Sequence, residues 1–151
     1  MRVWRICKRK WATTAFSGRG AAENPGRWNS LGRRAVYCAE TRALAALEIL
    51  AHVENKRRLR KVTFVAIPVD VPDAIISRPR RYPRGWRALP STDASRHFGD
   101  RQLADAPALR VPSLVVAGEF CVVLNPAHPR FAECLIGAPE PFTFDERVLD
   151  R

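Results

Sequence analysis

The sequence has no apolar run long enough to cross a membrane. Its longest uninterrupted apolar stretches, such as residues 43–47 and 65–69, are far shorter than the roughly 20 residues that a membrane helix needs. The N-terminal segment MRVWRICKRKW also lacks the apolar stretch of a secretory signal, because Arg, Lys and Trp stand in its place. These absences predict a soluble protein of the cytoplasm that has no membrane partner.

Spacing typical of a metal site or a disulfide framework is also missing. No two cysteines form a CxxC pair, and the three histidines do not cluster with them at zinc-ligand spacing. Each cysteine lies in or beside an apolar stretch, so we expect small buried core thiols and neither a metal nor another cofactor. The four are Cys7, Cys38, Cys121 and Cys134.

The known phosphate-binding fingerprints are absent as well. Residues 17–34 are rich in glycine, yet they contain neither a P-loop pattern nor the third glycine of GxGxxG. The segment does contain Gly26-Arg27-Trp28-Asn29-Ser30, in which Arg27 could clamp a phosphate and Trp28 could stack on a flat ring. From spacing alone, a solvated loop with a packed tryptophan is the default interpretation.

Acidic residues are few: 15 Asp and Glu against 26 Lys and Arg give a formal net charge of +11. Of the basic residues, 22 are Arg and only four are Lys. The guanidinium fork suits phosphates and carboxylates, so this excess favours an anionic partner, which could be nucleic acid, a small molecule or an acidic protein. Codon bias in a GC-rich genome explains the arginine content equally well.

The hydrophobic content of 46% is enough for a core, and 151 residues fit one domain. Strands outnumber helices in the apolar pattern and do not alternate with them regularly, so we expect a single α+β domain over residues 1–151. Pro68 should lie at a strand end, because Pro cannot donate to a ladder. The predicted strands are 3–7, 35–38, 62–69, 109–116 and 119–124, the predicted helices are 41–55 and 93–104, and the closing elements are 131–136 and 142–145.

One acidic residue stands out on the first predicted helix. Thr41 is a competent N-cap, and Leu44, Leu47 and Ala51 recur at i, i+3 and i+7, which predicts a buried stripe. Glu48 lies four residues after Leu44, on the same stripe. Because a bare buried carboxylate is costly, Glu48 must be paired, protonated or facing a cavity.

Residues 78–87, RPRRYPRGWR, form a basic segment in which Tyr82 and Trp86 stand between five arginines. Interleaved arginine and aromatic residues suit single-stranded nucleic acid. No recognised nucleic-acid-binding motif accompanies them, which favours a solvated loop that its two aromatic side chains anchor to the core.

Three blocks carry a specific signal: Gly26-Arg27-Trp28-Asn29-Ser30, Tyr37-Cys38-Ala39 and Leu47-Glu48, in which Arg27, Tyr37 and Glu48 are spaced by ten and eleven residues. Other matching blocks lie at 3–6, 15–21, 98–100, 109–113 and 124–129. In this order, the blocks resemble the RES domain, the toxin half of certain bacterial toxin–antitoxin pairs, named for an Arg, a Glu and a Ser.

The resemblance implies an enzyme that consumes NAD+ as its substrate, with a fold similar to ADP-ribosyltransferase toxins: a split β core with flanking helices. Family members break the nicotinamide–ribose bond, and the acceptor is water, phosphate or in some cases a protein side chain. The family's serine could also be Ser91 or Ser95. The catalytic residues implied are Arg27, Tyr37, Glu48 and Ser113, and those implied to bind NAD+ are Arg5, Arg27, Trp28, Asn29 and Tyr37.

The side-chain chemistry of these residues suits the implied cleavage of the nicotinamide–ribose bond. Nicotinamide leaves from an oxocarbenium-like ribosyl centre, which the negative charge of Glu48 would stabilise. Arg27, with Arg5, would neutralise the pyrophosphate, and Tyr37 offers a ring face or a hydroxyl. An arginine partner would also keep Glu48 ionised.

A toxin of this type implies a helix-turn-helix antitoxin of the Xre class that covers the cleft, with DNA contacted only through that antitoxin. We expect the remaining positive charge, around 78–87 and 57–61, to face an acidic antitoxin surface. A protein mono-ADP-ribosyltransferase and a basic nucleic-acid-binding module are the alternatives. The joint presence of Arg27, Tyr37 and Glu48 argues against an inactive relative.

Overall fold

The computed structural model describes residues 1–150, which form eight strands, three α-helices and several short 3-10 turns. None of these helices is long and apolar enough to span a membrane. Strands and helices do not alternate regularly, so the predicted α+β class is confirmed. The strands are β1 (Arg2–Lys8), β2 (Val36–Ala39), β3 (Phe64–Asp70), β4 (Ile76–Ser77), β5 (Ala108–Pro112), β6 (Phe120–Leu124), β7 (Leu135–Ile136) and β8 (Glu140–Phe142), and the helices are α1 (Arg19–Glu23), α2 (Arg42–His52) and α3 (Asp93–Asp105).

The eight strands form one sheet in the order β4-β5-β6-β2-β1-β3-β7, and β8 also pairs with β3. Every pairing is antiparallel except that of β4 with β5. β1 pairs with β3 along its whole length but meets β2 only at Trp4 and Ala39. The sheet is therefore nearly divided between β1 and β2, in agreement with the expected split β core.

The two faces of the sheet carry separate cores, because side chains alternate between the faces along each strand. On one face, Phe16 and Phe131 pack against a cluster of small and branched apolar residues that consists mainly of valines. On the other face, α2 packs on β1 through Leu44, while Trp28 packs with residues of α3 on β5 and β6. Cys121 on β6 contacts both clusters of this second face, so it marks the line where they meet.

Helix α2 begins where the sequence predicts and ends earlier. Oγ1 of Thr41 accepts a hydrogen bond from the backbone N–H of Leu44 at 3.0 Å, which confirms the N-cap. The helix ends at His52 and does not continue to residue 55.

The predicted position of Pro68 is wrong, because it lies inside β3 and not at a strand end. The carbonyl of Pro68 accepts a hydrogen bond from the N–H of Gly137 at 2.8 Å, in the stretch of β3 between its pairings with β7 and β8. A residue's N and O point to the same side of an antiparallel strand, so the nitrogen of Pro68 faces this gap. No ladder bond is lost there.

The buried stripe of α2 also differs from the prediction. Leu47 is 43% exposed and Ala51 is exposed, whereas Leu44 and Ala45 are buried. Counted from Leu44, the helix therefore turns positions i, i+1 and i+4 towards the sheet and positions i+3 and i+7 outward. Glu48, at i+4 from Leu44, remains on the inward side and is half-buried.

The four cysteines are free thiols, and three of them are buried as predicted: Cys7, Cys38 and Cys134. Burial raises the pKa of Cys38 to about 12, which makes it an inert core residue. The prediction of a buried core thiol is wrong for Cys121, which is only half-buried. It lies at the junction of two clusters, where it also meets a charged side chain of α2.

Candidate active site

The carboxylate of Glu48 on α2 is held by side chains from β6 and from the turn after β5. Its Oε1 accepts a hydrogen bond from the hydroxyl of Ser113 at 2.8 Å, and the thiol of Cys121 lies 3.5 Å from the same oxygen. Oε2 has no hydrogen-bond partner within residues 1–150. The carboxylate therefore has one oxygen fixed by the protein and one oxygen available to a ligand.

Ser113 is oriented by the turn that follows β5. The strand ends at Pro112, before the predicted residue 116, and the hydroxyl oxygen of Ser113 accepts hydrogen bonds from the N–H groups of Val115 and Val116, both at 3.1 Å. Because these two bonds occupy both lone pairs, the hydroxyl proton must point to Glu48. Ser113 is 6% exposed, so the geometry is shielded from solvent.

The two other candidates for the family serine lie elsewhere. The hydroxyl of Ser91 accepts a hydrogen bond from Arg96, and Ser95 pairs with the side chain of Thr92 at the N-terminus of α3. Of the three serines, Ser113 is the one that the structure brings to Glu48.

Arg27 lies close enough to influence the site electrostatically but does not form an ion pair with Glu48. Its Nη1 donates to the carbonyl oxygens of Trp86 and Ala88, the latter at 2.8 Å. Burial lowers the pKa of Arg27, and the negative charge of Glu48 acts in the opposite direction. The expected arginine partner of Glu48 is thus replaced by Ser113 and Cys121, and Nε and Nη2 of Arg27 have no protein partner within residues 1–150.

Tyr37 ties the glycine-rich segment to the sheet. Its hydroxyl donates to Oδ1 of Asn29 at 2.7 Å and accepts from the N–H of Trp28 at 3.1 Å. Burial raises the pKa of Tyr37, so the hydroxyl stays protonated near neutral pH. Gly26 lies directly against this hydroxyl, and a Cβ at that position would overlap it. This close approach explains why glycine stands before Arg27.

Trp28 and Asn29, two of the residues expected to bind NAD+, are both buried in the loop. Trp28 is 2% exposed and packs against Tyr82, Trp86 and Phe98 with ring centroids 5.8–6.0 Å apart. Asn29 is 1% exposed, and its amide bonds the backbone of the loop on both sides. These side chains shape the loop that presents Arg27, because both their surfaces and their polar atoms are already used.

Arg5 lies at the point where the sheet divides. Its Nη1 donates to the carbonyl oxygen of Tyr37 at 3.1 Å, across the gap between β1 and β2. Its Nε is buried without a hydrogen-bond partner. The structure thus connects Arg5 to the site through the backbone of β2, and its side chain forms no hydrogen bond to Arg27 or Glu48.

The basic segment 78–87 is anchored by its aromatic residues, as the favoured interpretation predicts. Tyr82 and Trp86 belong to the cluster around Trp28, and the hydroxyl of Tyr82 donates to the carbonyl of Arg110 at 3.1 Å. This packing holds the carbonyl groups of Trp86 and Ala88 where they accept hydrogen bonds from Arg27.

Sequence reasoning missed three contributors to the site. Cys121 looked like an ordinary strand residue, and no pattern marked the carbonyl groups of Trp86 and Ala88 as acceptors. Arg96 of α3 is the third: burial lowers the pKa of Arg27, and the charge of Arg96 acts in the same direction. Arg27 and Arg96 together place positive charge beside Tyr37.

Similar proteins are known that match nearly the whole chain. Residues 2–145 match the family model of the RES domain. Toxin Res of Yersinia enterocolitica is 32% identical over 151 residues, which cover 98% of this chain and 99% of that protein. The Prs ADP-ribosylating toxin of a Sphingobium species is 36% identical over 155 residues, covering 97% of this chain and 95% of that protein.

A solved structure has a similar fold. In the crystal structure of the MbcT–MbcA toxin–antitoxin complex of M. tuberculosis, the matching chain aligns with a TM-score of 0.71 at 15% sequence identity. The alignment covers 94% of this chain and 84% of that chain. The match over residues 2–145 and the relatives above 30% identity along nearly the whole length show that the chain belongs to the RES domain family.

Proposed function

We propose that this protein is the toxin of a toxin–antitoxin pair and that it cleaves NAD+ at the bond between nicotinamide and ribose. The observation that carries the proposal is the Glu48 carboxylate, whose Oε1 is fixed by Ser113 at 2.8 Å and whose Oε2 is left for a ligand. Family membership supports the same reaction class, since the relatives are named as toxins and one of them as ADP-ribosylating.

Glu48 performs the central electrostatic task in this proposal. When the C–N bond breaks, its electron pair leaves with nicotinamide, and positive charge develops on the ribosyl carbon and ring oxygen. A carboxylate whose position is fixed before the reaction stabilises that charge without reorganising. The hydrogen bond from Ser113 supplies the fixation, because it is charge-assisted and shielded from water.

Arg27 orients the substrate in this proposal. The edge formed by its Nε and Nη2 has no partner among residues 1–150, and a guanidinium edge matches two phosphate oxygens. Arg5 is proposed to hold the dinucleotide more remotely: its bond to the carbonyl of Tyr37 fixes the strand that carries the loop contacts. Trp28 and Asn29 act on binding through the shape of the loop.

The acceptor of the ADP-ribose is proposed to be water or phosphate. Protein mono-ADP-ribosylation is the second candidate, favoured by the 36% identity to the Prs ADP-ribosylating toxin. A basic nucleic-acid-binding module receives less support, because the aromatic residues of segment 78–87 are half-buried against the cluster around Trp28. The proposed partner in the cytoplasm is an antitoxin with a helix-turn-helix domain.

Incubation with NAD+ labelled in its adenylate phosphate tests the reaction and the acceptor together. We expect soluble label as ADP-ribose in buffer without phosphate, or as its phosphorylated form when phosphate is added. Label that appears on protein instead supports the second candidate. If neither nicotinamide nor labelled product appears, the proposed function is wrong.

A further inference from the structure

The thiol of Cys121 contacts the proposed catalytic carboxylate without having been assigned a role. Its Sγ lies 3.5 Å from Oε1 of Glu48, within reach of an S–H donor. Cys121 is in β6 between β2 and β5, where it is paired with Ala39 on one side and Val111 on the other. A residue paired on both sides has a fixed backbone, so its side chain meets α2 at a defined point.

Two donors from different parts of the sheet converge on one oxygen. Ser113 approaches Oε1 from the turn after β5, and Cys121 approaches the same atom from β6. A carboxylate held by one donor can still rotate about its last torsion, whereas two donors on one oxygen restrict that rotation. We propose that Cys121 is a positioning residue, which acts with Ser113 to hold Oε1 of Glu48 so that Oε2 faces the ribosyl centre; this role rests on the proposed NAD+ cleavage.

The surroundings of the thiol suit a donor better than a nucleophile. Burial raises the pKa of Cys121, and the negative charges of Glu48 and Glu40 act in the same direction. The thiol therefore keeps its proton throughout the neutral range. Because S–H is a weak donor, it restricts the carboxylate while leaving its negative charge available to the substrate.

The contact itself can be measured without NAD+, through the reactivity of the thiol. Burial is the main cause of the raised pKa of Cys121 and remains in Glu48→Gln, but removing the charge of Glu48 removes the next cause and lowers this pKa. Glu48→Gln should therefore increase the rate of alkylation of Cys121 by iodoacetamide at pH 8 by about threefold or more. Peptide mass spectrometry distinguishes Cys121 from the three buried cysteines. Glu54→Gln changes an exposed glutamate just beyond α2 and should leave the rate unchanged. Equal rates in the wild type and Glu48→Gln would overturn the contact.

The role in catalysis is tested by three substitutions assayed for nicotinamide release. Cys121→Ala removes the donor and should lower kcat by about threefold to tenfold with little change in KM, as expected for the loss of one weak S–H hydrogen bond. Cys121→Ser keeps a donor and should recover most of the loss. Cys134→Ala removes a buried thiol from the core on the opposite face of the sheet and should leave kcat unchanged. The melting temperature of this variant measures how much the loss of packing destabilises the fold.

These results separate the possible failures. If the wild type releases no nicotinamide, the proposed function and the positioning role both fail. If the wild type is active but Cys121→Ala retains full kcat, or Cys134→Ala loses as much, only the positioning role fails. Loss of activity in Cys121→Ser to the level of Cys121→Ala would also overturn it, since a donor would then be irrelevant.

Discussion

Ser113→Ala should weaken catalysis more than it weakens the fold. The substitution removes the hydroxyl that donates to Glu48 at 2.8 Å and accepts from two backbone N–H groups. A hydrogen bond to a charged group contributes about 1.5–3 kcal/mol, so its loss at the transition state corresponds to a decrease of roughly 10-fold to 100-fold in kcat. The two N–H groups belong to residues near the surface, where water can replace the hydroxyl, and the free energy of unfolding should fall by only about 1 kcal/mol.

Ser95→Ala is the matched control for this prediction. Ser95 is fully buried and also loses a side-chain hydrogen bond, but it lies at the start of α3, away from Glu48. Nicotinamide release and thermal denaturation are measured for both variants and the wild type. The reasoning is refuted if Ser113→Ala retains full kcat, or if Ser95→Ala loses as much activity as Ser113→Ala.

Three further predictions follow from the site and its surroundings. Arg27→Lys removes the guanidinium fork and should raise KM for NAD+ about tenfold, and an unchanged KM would contradict its role on phosphate. Gly99→Ala should lower the free energy of unfolding by about 1–3 kcal/mol in chemical denaturation, because the new Cβ would overlap the carbonyl of Trp28. Gly20→Ala should raise it by about 0.5–1 kcal/mol, because Gly20 lies on α1 with nothing within 4 Å of the new Cβ. Burial raises the pKa of Tyr37 above its ordinary 10.0, so above pH 10 the unfolded chain loses this proton before the folded chain does, and the free energy of unfolding falls. Tyr37→Phe has no such proton, so its free energy of unfolding should fall less than that of the wild type between about pH 9 and pH 11 in denaturation curves.

Local patterns were sufficient for the longer strands and for α2 and α3, and they singled out Glu48, but they did not predict α1 or β4. Thr41 caps α2 as its residue type predicts. Glu48 was identified because a carboxylate four residues after a buried leucine lies on the inward side of the helix, where an unpaired charge is costly. The class of the fold followed from the order of apolar runs. Such features depend on residues within a few positions of each other, which a sequence displays directly.

The contacts of the site could not be read in the same way. Ser113 and Cys121 reach Glu48 across 65 and 73 residues of chain, so their meeting depends on the register of β5 and β6 against the rest of the sheet. Trp28 looked available for stacking because three aromatic rings from later segments bury it only in the folded protein. Arg27 was the expected partner of Glu48, yet it donates its hydrogen bonds to the backbone carbonyl groups of Trp86 and Ala88.

The most direct test of the account is the initial rate of nicotinamide release from NAD+ by the wild type and by Glu48→Gln, with Glu54→Gln as the control for an exposed glutamate. Loss of the fixed carboxylate should decrease the rate by at least about 100-fold while the melting temperature stays close to that of the wild type. The control should retain the wild-type rate. Release of nicotinamide by Glu48→Gln at the wild-type rate would contradict the central role of this carboxylate.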